Sequence, residues 1–188
     1  LMIKPMLAHK FDESRVDFNK PVYIQPKLDG VRCVFTKDGA FSRTGKQFMN
    51  VRHIEMALQS FFDTNPHGIL DGELYNHKLK HDFEKIISLV RKTKPTDEDR
   101  LEASKLTQFH CYDIIDEELP FNQRIEFVNQ SLMLLGDSIH TVDTTQCFTE
   151  GDAKVFHADN LELGYEGSIV RTNDTYHCNR SHNLRKFK

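Results

Sequence analysis

The sequence predicts an α+β domain in which antiparallel sheets are flanked by helices, and three observations carry that expectation. Between positions 22 and 44, short β-branched and aromatic runs alternate with turn residues, the pattern of an antiparallel meander. Around positions 51–61, 83–90 and 125–135, apolar residues return every three or four places, as on one face of a helix. The length of 188 residues and the hydrophobic content of 38% suit one α/β or α+β domain, or one domain with a small satellite.

Taken in order, Pro5-Met6-Leu7-Ala8 is apolar and is expected to dock on the core, and positions 12–19 read as a polar loop or short helical turn. Position 1 is leucine, which reads as an expression remnant or as the interior of a longer polypeptide. Two strands, around Val22-Tyr23-Ile24 and Val31-Arg32-Cys33-Val34-Phe35, flank Gln25-Pro26-Lys27-Leu28-Asp29-Gly30. Pro26 lacks a backbone donor and holds Gln25 extended, while Gly30 lets the chain reverse, so Lys27 is expected on a short turn between strands. Such a turn is a firm mount for a reactive side chain. The same residues would also fit a surface hairpin with a solvated lysine.

Lys37-Asp38-Gly39-Ala40 makes the next turn, and Phe41-Ser42-Arg43-Thr44 is expected to resume as a strand. Val51, Ile54, Leu58 and Phe61 share the face of a helix that stops before Asn65-Pro66-His67-Gly68. The strand Ile69-Leu70-Asp71-Gly72-Glu73-Leu74-Tyr75 carries two acids on one face. Burying a carboxylate is costly unless it is paired or ligated, so Asp71 and Glu73 face solvent or meet a polar ligand. His77 and His81 have the i, i+4 spacing of a metal pair, but with Lys78 and Lys80 around them and no third ligand nearby they read as a solvated helix start. Phe83, Ile86, Ile87 and Val90 mark the buried stripe of that helix, and positions 94–105 read as a surface segment or short helix. A strand over 109–115 precedes a helix with Ile125, Val128, Leu132 and Leu135 on one face and Gly136 as its stop. A last helix over 152–163 ends at Gly164, and strands over 166–171 and 184–188 close the chain, with Lys186 and Lys188 pointing the same way.

Composition narrows the classes of function. No apolar run approaches the ~20 residues of a membrane span and the N-terminus lacks a signal-like stretch, so a soluble protein without membrane contact is expected; the expected location is intracellular, cytoplasmic for a bacterial or phage-encoded chain. The four cysteines are far apart in sequence and are read as reduced thiols. With a net charge of −3, any nucleic-acid contact needs a local basic face. Positions 175–188, with Arg180, Arg185, Lys186, Lys188 and no acid, could supply one or be a solvated face. Gly39 and Gly45 are separated by five residues where a phosphate loop needs four, and Gln47 stands where Ser or Thr should follow the lysine. Phosphate handling would therefore fall to lysines and arginines on strands.

Lys27-Leu28-Asp29-Gly30-Val31-Arg32, Ser42-Arg43-Thr44-Gly45, Asp71-Gly72-Glu73, Tyr112-Asp113, Glu166-Gly167 and Lys186-Phe187-Lys188 stand in the order and spacing of the covalent nucleotidyltransferase superfamily. Over nearly its whole length the chain resembles the adenylation domain of small ATP-dependent DNA ligases; Leu119-Pro120-Phe121 with Arg124, and Gly164-Tyr165, agree. The resemblance implies an ATP-grasp-like fold with the nucleotide in a cleft between sheets. It implies that Lys27 attacks the α-phosphate of ATP to form a lysyl-AMP, with Lys186 and Lys188 depressing its pKa from the ordinary ~10.4 and neutralising the phosphate. Glu73 would accept the ribose hydroxyl, Tyr112 would stack on adenine where most relatives have phenylalanine, and Gln25 would read the adenine edge. Glu166, with Asp29 in support, would hold Mg2+, and Arg43 and Arg32 would hold the 5′-phosphate of a nick or the AMP phosphate. The implied partners are ATP and nicked duplex DNA, with the protein a monomer. Relatives continue into an OB-fold domain, so residues 1–188 are expected to be the nucleotidyltransferase domain of a longer ligase. Messenger RNA capping guanylyltransferases and RNA ligases share the lysine motif and fold, and a silent nucleic-acid-binding module is the reading from another class.

Overall fold

Two sheets face each other across a cleft, and the chain passes from one to the other directly after Lys27. The computed structural model describes residues 3–10, 16–178 and 180–187. One sheet has five strands in the order β1 (Leu7–Lys10), β11 (Arg180–Phe187), β10 (Gly167–Thr172), β2 (Val22–Lys27) and β9 (Thr145–Cys147). The other has six, in the order β5 (Gln47–Phe48), β4 (Gly39–Phe41), β3 (Val31–Thr36), β6 (Leu70–Tyr75), β7 (Gln108–Ile114) and β8 (Ile139–Thr141). The α+β class is as expected, but the sheets are mixed: β1 with β11 and β7 with β8 run parallel, the other pairs antiparallel. β2 and β3, consecutive in sequence, lie in different sheets, so the link between them is a crossing and not a hairpin.

The main core fills the space between the outer face of the six-stranded sheet and the helices α1 (Arg52–Ala57), α2 (Gln59–Thr64), α3 (Phe83–Val90) and α5 (Phe121–Leu132). Cys33 and Phe35 point into it from β3, Leu70 and Leu74 from β6, while Arg32 and Glu73 face the cleft. Each large side chain so buried contributes about 1.5–3 kcal/mol, and Phe35 and Phe109 add an edge-to-face contact at 4.9 Å. A smaller cluster, including Val22, Ile24, Ala153 and Val170, packs α6 (Glu150–Glu162) on the five-stranded sheet.

Helix boundaries depart from the apolar pattern where capping decides. The helix expected over 51–61 is two, because the chain turns at Leu58, yet Ile54, Leu58 and Phe61 all reach the core. In α3 the buried residues are Ile86, Leu89 and Val90, so the stripe is rotated away from Phe83 and Ile87. Positions 94–105 contain a helix, α4 (Asp97–Leu106), started by a reciprocal cap between Thr96 and Asp99. The same device, Thr149 with Asp152, starts α6 two residues before the predicted start, and Gly164 stops it at φ +91°. α5 ends at Leu132; Leu134 takes φ +66° and Gly136 φ +107° beyond it. Of residues 41–44, expected as strand, Phe41 ends β4 and the rest belong to a turn over 42–45. Residues 12–15 of the loop or short helical turn expected over 12–19, together with Lys188, lie outside the described residues.

Candidate active site

Lys27 is the last residue of β2 and is paired across the sheet with Gly167, the first of β10. That register puts it beside Glu166, and Nζ lies 2.6 Å from Glu166 Oε2. The crossing Leu28-Asp29-Gly30 then runs tightly past β6. The Gly30 N–H donates to Glu73 Oε2 at 3.2 Å, and a Cβ at Gly30 would sit 2.3 Å from the Leu74 carbonyl oxygen and 2.9 Å from Glu73 Cγ. Gly30 is therefore required by closeness to β6. Its φ is not in the left-handed region, so the turn-forming role expected of it does not apply.

The six-stranded sheet supplies the wall that carries Arg32, Glu73 and Tyr112. Arg32 and Glu73 are opposed in register, and Asp71 lies two places along β6. Arg32 lines the cleft, but its guanidinium makes two 2.7 Å bonds to Asp71 and one of 2.8 Å to the Met6 carbonyl. Asp71 is 1% exposed and also accepts from the Tyr176 hydroxyl at 2.7 Å. The expectation that Asp71 meets solvent or a ligand is thus corrected: it is paired inside the protein. Glu73 does face the cleft. Burial pushes its carboxyl up to about 7, against the pull of Arg32 and of the Tyr112 and Gly30 hydrogen bonds. The Tyr112 hydroxyl lies 3.0 Å from both Glu73 Oε1 and the Gly72 carbonyl, and the Arg32 and Arg171 guanidinium groups approach its ring, 5.3 and 5.5 Å from the centroid. Burial holds the Tyr112 phenol well above its ordinary value, so the hydroxyl stays protonated.

Beneath Tyr112 lies a buried network that pattern reading did not assemble. Asp113, fully buried, accepts from Arg171 Nη1 and Arg124 Nε, both at 2.8 Å. Arg171 Nε also donates to Gln25 Oε1, while Gln25 Nε2 donates to the Tyr112 carbonyl at 3.1 Å and to Thr144 Oγ1 at 3.0 Å. Both Gln25 donors are thus engaged within the protein, and its amide supports the cleft floor. Arg171 lines the cleft and was missed; the available signal was an arginine in the otherwise small and apolar strand Ser168-Ile169-Val170-Arg171. Asp113 and Arg124 were noted only as landmarks, because their pairing spans separate elements.

The other end of the cleft is loosely held. Arg43 is exposed on the 42–45 turn, which is closed by the Ser42 hydroxyl accepting from the Lys46 N–H at 3.1 Å and by Gly45 at φ +90°. Arg43 makes no hydrogen bond to another described residue and reaches the cleft, as does Lys186 of β11. Arg185 is 3% exposed and so leaves the expected basic face of the tail. Asp29 is exposed and lies outside the cavity lining. The cavity measures about 270 Å³, at the lower edge of small-ligand sites. Lys27, Arg32, Arg43, Arg171 and Lys186 line it against a single acid, Glu73, so it is locally basic although the chain is net negative.

Among the described residues no group of three or more His, Cys, Asp or Glu is placed to hold a metal. Glu166 pairs with Lys27 and Asp29 follows Lys27 by two residues, but neither lines the cavity; a magnesium ion takes most of its ligands from water and substrate phosphates, so it does not need a cluster of three protein ligands. His77 and His81 do not form a metal pair: the helical turn ends at Leu79, and both His77 nitrogens are hydrogen-bonded. All four cysteines are free thiols. No helix among the described residues is long and apolar enough to cross a membrane.

Comparison with known proteins places this geometry. The family model described as ATP dependent DNA ligase domain matches residues 5–188. A DNA ligase of African swine fever virus is 30% identical over 184 residues, covering 90% of this chain and 42% of the viral protein. The chain therefore spans less than half the length of the curated relatives it matches. Among solved structures, one of Lig E DNA ligases superposes with a TM-score of 0.76 at 20% identity, covering 100% of this chain and 69% of that one. Chlorella virus DNA ligase-adenylate gives 0.76 at 22%, covering 100% and 68%, and the bacteriophage T7 ATP-dependent DNA ligase complexed with ATP gives 0.73 at 16%, covering 98% and 68%. At these identities the structural likeness speaks to the fold.

Proposed function

The chain belongs to the ATP dependent DNA ligase domain family, and we propose on that premise that it is the nucleotidyltransferase unit of a ligase that seals nicks in duplex DNA. The observation that carries the reading is the placement of Lys27 at the edge of a basic cavity whose opposite wall presents Glu73 and Tyr112. Adenine stacks on the Tyr112 ring, and the ribose hydroxyls donate to Glu73. The triphosphate lies toward Lys27, Lys186 and Arg43, where cationic charge meets the phosphates. Attack requires the free amine, so the 2.6 Å pair with Glu166 opens as ATP enters. Lys27 gives up one proton to solvent to become the free amine; its Nζ then bonds to the α-phosphorus, the bond to the α,β-bridging oxygen breaks, pyrophosphate leaves, and the second proton released from Nζ passes to solvent.

In the second step the 5′-phosphate of the nick, held by Arg43, attacks the same phosphorus and releases Lys27. In the third, the 3′-hydroxyl displaces AMP. Glu166 and Asp29 would hold a magnesium ion brought in on the triphosphate, which when bound neutralises phosphate charge. Arg32 reaches the AMP phosphate if it gives up part of its pairing with Asp71, and Lys188 is assigned beside Lys186 by the motif alone. The parent protein is read as an intracellular monomer that includes an OB-fold domain. Incubation with α-labelled ATP or GTP, each with magnesium, tests the reading. The expected result is an acid-labile label from ATP at Lys27; a label from GTP alone would assign the chain to capping chemistry.

A further inference from the structure

The lysine loop rests on a pad of aromatic side chains held by a histidine that the reaction scheme does not use. Leu28, next to Lys27, is buried with Tyr75 and Val142, with Tyr112 and Tyr165 packed around them. Tyr75 ends β6, two residues after Glu73. Tyr165 precedes Glu166, just past the C-terminus of α6. These two tyrosines therefore belong to the two opposite walls of the cleft.

His77 connects them. Its Nε2 lies 2.8 Å from the Leu163 carbonyl, which can only accept, so Nε2 carries the proton; in the neutral ring Nδ1 then accepts from the Tyr75 hydroxyl at 2.6 Å. The ring also stacks on Tyr165 at 4.1 Å with 23° between planes. The segment it grips has little freedom: Gly164 sits at φ +91°, a Cβ there would meet the Lys80 side chain at 2.8 Å, and the Tyr165 N–H donates to the Asn160 carbonyl at 3.0 Å.

We infer that His77 is a positioning residue for adenylyl transfer, clasping Tyr75 to the α6–β10 junction so that Leu28 holds Lys27 in line with the phosphate and Glu166 keeps its place. This rests on the proposed function, in which Lys27 is the nucleophile. His77 touches neither the cavity lining nor the reacting atoms, so its loss should affect the rate of transfer more than the binding of ATP. Displacements of about 1 Å at a reacting group can cost up to about a hundredfold in rate.

The test is single-turnover formation of lysyl-AMP by the wild-type chain, His77→Ala and His77→Phe, at limiting and at saturating ATP. Circular dichroism at the assay temperature gives the folded fraction. His77→Phe keeps a ring to stack on Tyr165 and loses both hydrogen bonds, so it reports on the clasp even if His77→Ala does not fold. The expected result is a rate at saturating ATP lowered on the order of tenfold in the folded variants, with the ATP concentration for half-maximal rate changed less than about threefold. A saturating rate within about twofold of wild type, or a loss seen only as weaker ATP binding, would overturn the inference. Failure of the wild-type chain to form lysyl-AMP would instead sink the proposed function.

Discussion

The floor of the cleft and its mouth are built on opposite principles. On the floor, Arg171, Arg124, Asp113 and Gln25 form a buried set in which the charges are paired and both Gln25 donors are used, and Arg32 is tied to Asp71 and Met6 in the same manner. At the mouth, Arg43 stands exposed without such ties and Lys27 is held by a single ion pair with Glu166 among the described residues. The difference teaches where this domain is preorganised. The wall of Arg32, Glu73 and Tyr112 is fixed by interactions that would be costly to break, whereas Arg43, which the proposed function sets against phosphates that change bonding at each step, has no such ties among the described residues.

The contrast breaks most severely at Asp113. Asp113→Ala leaves two buried guanidinium groups without their shared carboxylate and should lower stability by about 3–5 kcal/mol, read from urea unfolding. A loss below about 1 kcal/mol would show that the floor is not held by this network. Titration sharpens the same point. Burial raises Glu73 from 4.5 to about 7, so the folded state keeps a proton that the unfolded chain has lost, and stability from this group falls as pH rises through that window. His110 acts in the opposite sense. Burial, with His140 stacked at 4.5 Å, depresses it from 6.5 to about 3, so stability is lost as pH falls through that range. Between about 4.5 and 6.5 the slopes oppose each other. Glu73→Gln should therefore uncover stability that rises with pH there by up to about 1.4 kcal/mol per unit, measured as urea midpoints at several pH values.

Glu73→Ala probes the floor through binding. Loss of a charged acceptor for the ribose should reduce use of limiting ATP by about 1.5–3 kcal/mol, roughly ten- to a hundredfold, and unchanged kinetics would make Glu73 a structural residue only. The smallest expected effect is on the stability of Arg43→Ala, within about 0.5 kcal/mol of wild type by calorimetry, although its sealing of nicks should weaken. Arg32→Ala should instead destabilise by about 3 kcal/mol, because Asp71 would lose its buried partner. Equal melting of the two arginine variants would erase the distinction between floor and mouth.

Much of this was legible in the sequence because the informative residues are local. The Asp71-Gly72-Glu73 strand and Gly164 as a helix stop follow from short-range chemistry and appear where expected, whereas Lys27, expected on a turn, is the last residue of β2. What sequence reading could not supply was long-range pairing. Nothing near Asp71 announces that Arg32 and Tyr176 will cover it, and nothing near Gln25 announces Arg171, 146 residues away in sequence. The β2–β3 link looked like a hairpin because the turn residues are the same whether the next strand pairs back or crosses to another sheet. His77 reads in sequence as a solvated helix start or half of a metal pair, since its real partners, Tyr75 and Leu163, meet through the fold. The predicted cationic neighbours of Lys27 were Lys186 and Lys188; the contact made is with Glu166, and Lys186 shares the cavity.

The central claim is that Lys27 takes AMP from ATP, and the intact mass of the chain before and after ATP and magnesium tests it most directly. A gain of one adenylyl group in the wild-type chain, reversed by pyrophosphate and absent from a folded Lys27→Ala variant, is the predicted result. The same gain in Lys27→Ala, or none in the wild type under conditions where ATP is bound, would contradict it.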